Sequence, residues 1–481
     1  MSAASSPDRW MRLPRLWWRT REARRSGDVG ALIRSVTAGG GAAVGLRLRG
    51  NRVLILLEPA LAGTLLVEHA PVTIKGPGVQ LTRQLLGDGL LTSEGAPHDR
   101  ARKLIAPAFS PRRLAGYTES FAAATRTHVA GWDDGATVDA HSEMAALTLD
   151  IVGRTLLGID LADRASTVRG SLESALERFA KSGGGILRGN GPRGIGRRGL
   201  RAALPARQAS RALDQPPDPA EAAVHEVVDE VINRRRADPS EDRGDVVSGL
   251  LSYGEIRNGM SAAEIHDHVM TLLLAGHETT ANALTFTLFL LGKHPHVQHR
   301  LQGEVSAFTT AGPTFTDLPA LSYTRAVISE ALRLYPPAWL LGRTIVAPLE
   351  FGGWHAPAGT VVLASPMLLH RDPRWFPDPD TFDPTRWLDD RRHDVPKYAY
   401  LPFGTGPRAC IGEQFAWAEA ITALAVIAAN WRVHTDSDLT PGIQYRVTLR
   451  PSGAVPVLVR ARRTAEVPAD TSHTVIDEPT R

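Results

Sequence analysis

Apolar residues recur at spacings of three and four over 114–130, 142–158, 166–181, 219–236, 261–292, 295–308, 323–335 and 412–430. That period gathers them on one side of a helix, so the pattern predicts a mainly α chain with a small β region. Strand-like alternation is confined to three places. Over 44–57 it predicts two short strands joined at Gly50 and Asn51, a pair suited to a turn with positive φ. Leu46 and Leu48 then face inward, Arg47 and Arg49 outward. The other strand-like runs lie at 359–365 and 445–460.

Elsewhere the periodicity fails. The segment 183–218 is rich in Gly, Pro and Arg, which break helices and are costly to order, so a mobile connection between two helices is expected. From about Thr464 the chain is polar and aperiodic, as in a disordered tail. Between Arg9 and Arg25 seven arginines mix with Trp10, Trp17 and Trp18, which suits a basic amphipathic helix lying on a membrane or, the favoured reading, on the protein's own surface. The expected division is therefore a basic segment 1–40, one large domain 41–463 and a tail 464–481.

With 481 residues, 43% of them apolar, the chain can bury a large core, whether as two ordinary domains or one large helical one. The formal charge of +4 comes mainly from arginine and suits acidic proteins, phosphates or anionic lipid. No basic block is long enough to argue for nucleic acid. No run approaches the roughly 18 to 20 apolar residues of a membrane span, and no secretory signal opens the chain, so a soluble, cytoplasmic protein is expected.

A single cysteine, Cys410, excludes an internal disulfide framework and a four-cysteine zinc site. By itself it reads as a small buried hydrophobe. Its neighbours change that. Phe403-Gly-Thr-Gly-Pro-Arg-Ala-Cys-Ile-Gly412 precedes a helix in which Trp417, Ile421, Leu424 and Ala428 share a face. The thiol thus stands at a helix N-terminus, where unpaired N–H groups favour the anion and lower its pKa. Gly404, Gly406 and Gly412 remove Cβ atoms where a flat macrocycle would lie against backbone. Arg408, two residues before the cysteine, leaves an extended loop on the same side and would meet an acidic edge group.

This run resembles the haem-binding signature of the cytochromes P-450, with Phe403, Gly406, Arg408, Cys410 and Gly412 at the matching places. Leu272-Leu-Leu-Ala-Gly-His-Glu-Thr-Thr-Ala281 resembles the same family's oxygen-binding helix. There Ala275 and Gly276 would let the helix pass close to haem, and Glu278 with Thr279 would supply an acid and an alcohol for proton delivery. Thr279 and Thr280 can back-bond to the carbonyls of Ala275 and Gly276. Taken alone, Glu278 and Thr279 would read as a surface carboxylate and an ordinary buried threonine.

Glu330 and Arg333, followed by Leu334-Tyr-Pro-Pro337, resemble the family's Glu-x-x-Arg helix, and Pro384-Thr-Arg-Trp387 supplies Arg386 as the third partner. These three are structural candidates, since a buried Arg–Glu–Arg network is costly to break from one side. His98, Arg102, Arg343 and Arg408 can be matched to the haem carboxylates. An exposed helical histidine is the alternative for His98.

The four motifs stand in the family's order over nearly the whole chain after residue 45. The resemblance implies a single large cytochrome P-450 fold, haem b (iron protoporphyrin IX) as cofactor, Cys410 as iron ligand and dioxygen as co-substrate. A thiolate opposite the oxygen site favours O–O cleavage. No flavin domain and no further cysteines for an iron–sulfur cluster are present, so electrons from NAD(P)H are expected through a separate ferredoxin and ferredoxin reductase. The pocket is expected from Leu85, Leu86, Leu272, Leu273, Ala338, Trp339, Leu340, Leu341 and Val447, all apolar, implying an apolar small molecule. The strings Val395-Pro-Lys-Tyr-Ala-Tyr400 and Tyr445-Arg-Val-Thr-Leu-Arg-Pro451 resemble bacterial members that oxidise terpenes. A fatty-acid or steroid hydroxylase, a peroxygenase, a non-catalytic haem sensor or carrier and a cysteine hydrolase stand as alternatives. A monomer is expected.

Overall fold

The protein is described from a computed structural model, which covers residues 10–12, 29–39, 41–48, 51–161, 164–181, 219–238, 244–255, 259–388, 391 and 394–462. The expected connection at 183–218 and the tail from Thr464 lie outside these residues, as does the turn residue Gly50.

The chain opens with β1 (Met11–Arg12), α1 (Val29–Thr37), β2 (Ala43–Leu48), β3 (Asn51–Leu56) and β4 (Thr73–Lys75). Helices α2 (Gly95–Ile105) and α3 (Pro111–Val129) follow, then β5 (Thr137–Asp139), α4 (Ala140–Val152), α5 (Ala165–Lys181) and α6 (Pro219–Ala237). Next come the long α7 (Ala262–Lys293), α8 (Pro295–Glu304) and α9 (Ser322–Leu334), then β6 (Leu341–Ile345), β7 (Leu349–Phe351), β8 (Trp354–Ala356) and β9 (Val361–Ala364). Helix α10 (Glu413–Asn430) leads into β10 (Trp431–His434), β11 (Ile443–Tyr445), β12 (Leu449–Pro451) and β13 (Pro456–Ala461). Each predicted helix is present. The missed strands, β1, β4 to β8 and β10, are two to five residues long, too short for alternation to register.

Six strands form the main sheet in the order β1-β2-β3-β9-β6-β4. In the β2–β3 hairpin Leu48 pairs with Asn51, so Asn51 is the first strand residue and not a turn residue. Leu46 is buried as alternation required. Met11 pairs with Leu46 as an added parallel strand, and Trp10 packs edge-on against Trp354 with centroids 5.3 Å apart. Residues 10–12 of the basic segment thus dock on the protein as a strand rather than a helix, while the rest of Arg9 to Arg25 lies outside the described residues. Val36 of α1 is buried with Val53 and Leu363, and Ile33 in a second cluster with Phe286.

Helix α7 runs through the centre of the helical region and is capped in both directions. The Ser261 hydroxyl accepts from the Glu264 amide while the Glu264 carboxylate accepts from the Ser261 amide. The helix packs along α4, and α10 packs on α3. Helix α10 is buried nearly all round, from Phe415 to Ala429, rather than amphipathic. A helix apolar on every face belongs inside a core. Among the described residues no helix is long and apolar enough to cross a membrane.

Candidate active site

The cysteine loop is held by its own backbone. The Gly404 amide donates to the Leu401 carbonyl at 3.2 Å, Ala409 to Gly406 at 3.0 Å and Cys410 to Phe403 at 2.9 Å. Arg408 closes a 3-10 turn over Gly406–Arg408, so the loop is not extended there. Gly404 and Gly406 have φ of +69° and +76°, a region that favours glycine. A Cβ on Gly406 would stand 2.2 Å from the Leu66 carbonyl oxygen. Its glycine therefore answers to packing on residues 66 and 67. Gly404 and Gly412 differ, for a Cβ there would meet only side-chain carbons of Leu341 or Phe109 at 3.7 Å or more.

Cys410 is exposed, yet enough protein surrounds its thiol that burial pushes the pKa up to about 11. A side chain both accessible and desolvated lines an internal cleft. The Gly412 amide and the Arg102 charge oppose the shift without reversing it. The expected lowering by the helix N-terminus is thus overruled by desolvation. A metal at the sulfur would restore the anion, since coordination deprotonates a thiol outright.

Three cations converge near this loop. Lys75 and Arg343 are direct partners across the antiparallel β4–β6 pair, both almost fully buried. Like charges so placed repel. The Arg408 guanidinium pairs with Glu94, and Glu94 is the one carboxylate among the described residues set against all three. Burial, then repulsion from Arg408, pushes Arg343 down to about 10. Burial likewise pushes Lys75 down to about 7, opposed by Glu94 and assisted by Arg408 and Arg343. Its ammonium donates to the carbonyls of Leu90 at 3.0 Å and Ser93 at 2.7 Å. His98 is buried beside them rather than exposed, its Nδ1 3.0 Å from Asp99, and burial lowers its pKa. A buried surplus of positive charge fits a ligand with two carboxylates, as haem has. Arg102 departs from expectation, for its Nη1 donates to the Ala409 carbonyl at 2.8 Å and clamps the cysteine loop.

Within the buried α7, Ala275 is exposed, and Gly276 and Thr279 are half-buried. The Thr279 hydroxyl donates to the Ala275 carbonyl at 2.7 Å, as expected. Thr280 instead directs its hydroxyl at Glu419 on α10, a carboxyl that burial pushes up to about 8. Gly276 has a packing reason of its own to be small. A Cβ there would lie 3.1 Å from Val152, so it serves the α4–α7 contact. Glu278 is buried, and its Oε1 accepts from the Thr448 hydroxyl at 2.7 Å. Burial raises its pKa above the usual carboxylate range.

Glu330 and Arg333 are fully buried and doubly hydrogen-bonded at 2.8 and 2.9 Å. Arg386 adds a third contact to Glu330 at 3.3 Å and Trp387 a fourth at 2.9 Å, while Arg333 also donates to the carbonyls of His370, Pro379 and Thr381.

The expected pocket residues divide. Ala338, Leu340, Leu341, Val447 and Leu85 are partly accessible, and Leu272 keeps a small exposed edge. Leu86, Leu273 and Trp339 do not line a cleft. Leu86 and Leu273 are locked in the main core, and Trp339 packs with Ile33, Phe286 and Tyr445 while its indole donates to the Arg446 carbonyl at 3.0 Å. Helical spacing cannot separate a cleft-facing leucine from a core one. Lys75, Glu94 and Thr448 belong to the candidate site but were missed: Lys75 sits in a short strand and Glu94 in a loop without a motif, and Thr448 lies in the Tyr445–Pro451 string, where no role was assigned to it.

The cytochrome P-450 family model matches residues 217–455. Cyclooctatin synthase of Streptomyces melanosporofaciens is 40% identical over 419 residues, 86% of this chain and 88% of that protein. Cyclooctat-9-en-7-ol 5-monooxygenase of the same species is 39% identical over 81% of this chain and 82% of its own length. Pentalenene oxygenase of Streptomyces avermitilis is 33% identical over 83% and 86%. A crystal structure of a cytochrome P-450 from Thermus thermophilus superposes with a TM-score of 0.72 at 26% identity, covering 94% of this chain and 100% of that one. Similarity over most of both lengths, joined to an accessible thiol beside buried cations, places this chain in the cytochrome P-450 family, as a haem-dependent monooxygenase.

Proposed function

We propose that the protein inserts one oxygen atom from dioxygen into an apolar terpene or terpenoid, with haem b held through Cys410 and electrons reaching it from NAD(P)H by way of a ferredoxin and its reductase. The observation that carries the reading is the pairing of an accessible but desolvated Cys410 with an under-neutralised cluster of Lys75, Arg343 and Arg408. The first suits an axial sulfur and the second two propionates.

Bound haem supplies dioxygen activation, with thiolate donation favouring O–O cleavage. The chain's own residues do the rest. Arg343, Arg408 and His98 orient the carboxylate edge, and Arg102 fixes the loop that presents the sulfur. Thr279 offers a hydroxyl on the accessible face of α7, and Glu278 behind it holds a proton. The apolar positions Leu272, Ala338, Leu340, Leu341 and Val447 bind substrate and exclude water. The charged groups acting on Cys410 are Glu413 and Arg102, with no histidine among them, which speaks against a cysteine hydrolase. The terpenoid assignment draws on the products and substrates in the relatives' names and on the strings near Tyr400 and Tyr445. A monomer in the cytoplasm fits this reading, and the basic net charge suits an acidic ferredoxin.

The reduced protein with carbon monoxide is expected to give the red-shifted Soret band of a thiolate haem, lost in Cys410→Ala. Spectral titration with diterpenes, sesquiterpenes, fatty acids and steroids then tests the substrate. Tighter binding of a fatty acid or steroid than of any terpenoid would overturn the assignment.

A further inference from the structure

Behind Glu278, on the side of α7 away from Gly276, lies a cavity of about 20 Å³ where α4, α5, α7 and β12 meet. Its lining includes His277, Glu278 and Asn282 from α7, His141 from α4, Glu173 from α5 and Arg450 from β12. The volume suffices for one water molecule, which requires two to four polar partners. Those partners are present. Asn282 Oδ1 is buried without a hydrogen-bond partner, and the buried His277 ring, one edge of which is set against the Ala145 backbone, keeps a nitrogen for the cavity; both residues belong to the lining. Glu173 at the same cavity is exposed, so the lining runs from bulk solvent to the buried acid.

The carboxyl of Glu278 is held from one side. Asn282 donates to Thr448 at 3.4 Å, and Thr448 donates to Glu278 Oε1 at 2.7 Å. With Oε1 occupied as an acceptor, the acidic hydrogen belongs on Oε2. Each proton that Glu278 passes toward Thr279 must be replaced from water. The substrate cleft is a poor source, because it must exclude water while an apolar molecule occupies it.

We propose that Glu278 is reprotonated from solvent through this rear cavity, by one water bound to Asn282 and His277, with Glu173 and Arg450 at the outer end and Thr448 as a positioning residue. The inference rests on the monooxygenase reading above. In one cycle a proton leaves Oε2, the cavity water donates one back, and that water is reprotonated from bulk, so no other reactant is consumed.

Filling the cavity tests it. In Ala145→Leu and Asn282→Leu holoenzymes, the protonated-carboxyl infrared band of Glu278, assigned as the band lost in Glu278→Gln, should exchange with deuterium roughly tenfold or more slowly. Proton delivery is commonly worth roughly 10² to 10⁴ in rate, so product formed per NAD(P)H should fall several-fold. Peroxide-driven turnover, which needs less proton delivery, should persist. Ala145→Val serves if the larger replacement does not fold. Unchanged exchange and coupling in variants that keep the thiolate-haem spectrum would overturn the proposal, as would a Glu278 with no protonated band. Absence of turnover with either oxidant in the unaltered protein would instead defeat the monooxygenase reading.

Discussion

Around Glu330, a carboxylate and two arginines close on themselves, and their remaining contacts go to backbone groups and the Trp387 indole. Around Lys75, Arg343 and Arg408, cations face one another across a strand pair with one carboxylate between them. Both clusters are buried, and both are built from ordinary charged side chains. The first is complete as it stands, which is what a structural strut requires. The second is frustrated without a partner, which is what a binding site for an anionic cofactor requires. Electrostatic satisfaction, rather than burial or residue type, separates the two roles.

The contrast can be broken most directly at Arg333. Arg333→Leu leaves Glu330 buried without its main partner and should cost about 3–5 kcal/mol, read as a lower urea midpoint in haem-free and haem-bound protein alike. A loss below about 1 kcal/mol would mean that Arg386 and Trp387 suffice.

The open cluster should respond in the opposite sense. Removing a charge-assisted contact to a propionate is worth about 1.5–3 kcal/mol, so Arg343→Leu should release haem to an apoglobin acceptor roughly ten- to a hundredfold faster. The same change should leave the haem-free protein as stable or more so, because it relieves repulsion with Lys75. Destabilisation of the haem-free form would place Arg343 with the struts.

Lys75 sharpens the contrast by pH. Its folded pKa, about 7, lies below its ordinary value of 10.5, so between them the unfolded chain binds the extra proton. Stability of the haem-free protein should therefore rise as pH increases from about 7 toward 10.5, and its low-pH penalty should be constant below 7. Lys75→Met should flatten that rise, and haem should weaken it by supplying anions. A flat profile in the haem-free protein would remove Lys75 from the cluster.

The smallest effect is expected at the surface. Arg154 pairs with Asp150 four residues away at 2.7 Å and is well exposed, so Arg154→Ala should change stability by less than about 1 kcal/mol in thermal unfolding.

Much of the site was legible because long motifs tie residue type to role. The Thr279 back-bond is where the sequence placed it, and Glu330, Arg333 and Arg386 assemble as anticipated, whereas Arg408 lies in a 3-10 turn and pairs with Glu94. Legibility failed wherever the deciding neighbour came from a distant segment. Gly276 and Gly406 were correctly seen as special, but the atoms they avoid belong to Val152 and Leu66. Leu86 and Leu273 share the chemistry of the partly accessible leucines Leu85, Leu340 and Leu341 and differ only in what packs against them.

From the sequence alone come the helical periods, the order of the motifs and the single thiol, because each depends on local spacing or on a covalent inventory. Only the tertiary structure decides that desolvation outweighs the helix end at Cys410. It also decides that Lys75 faces Arg343, and that Glu278 turns to Thr448 and a small cavity. Dielectric surroundings, cross-strand register and unfilled volume are sums over residues far apart in the chain, and no local pattern encodes them.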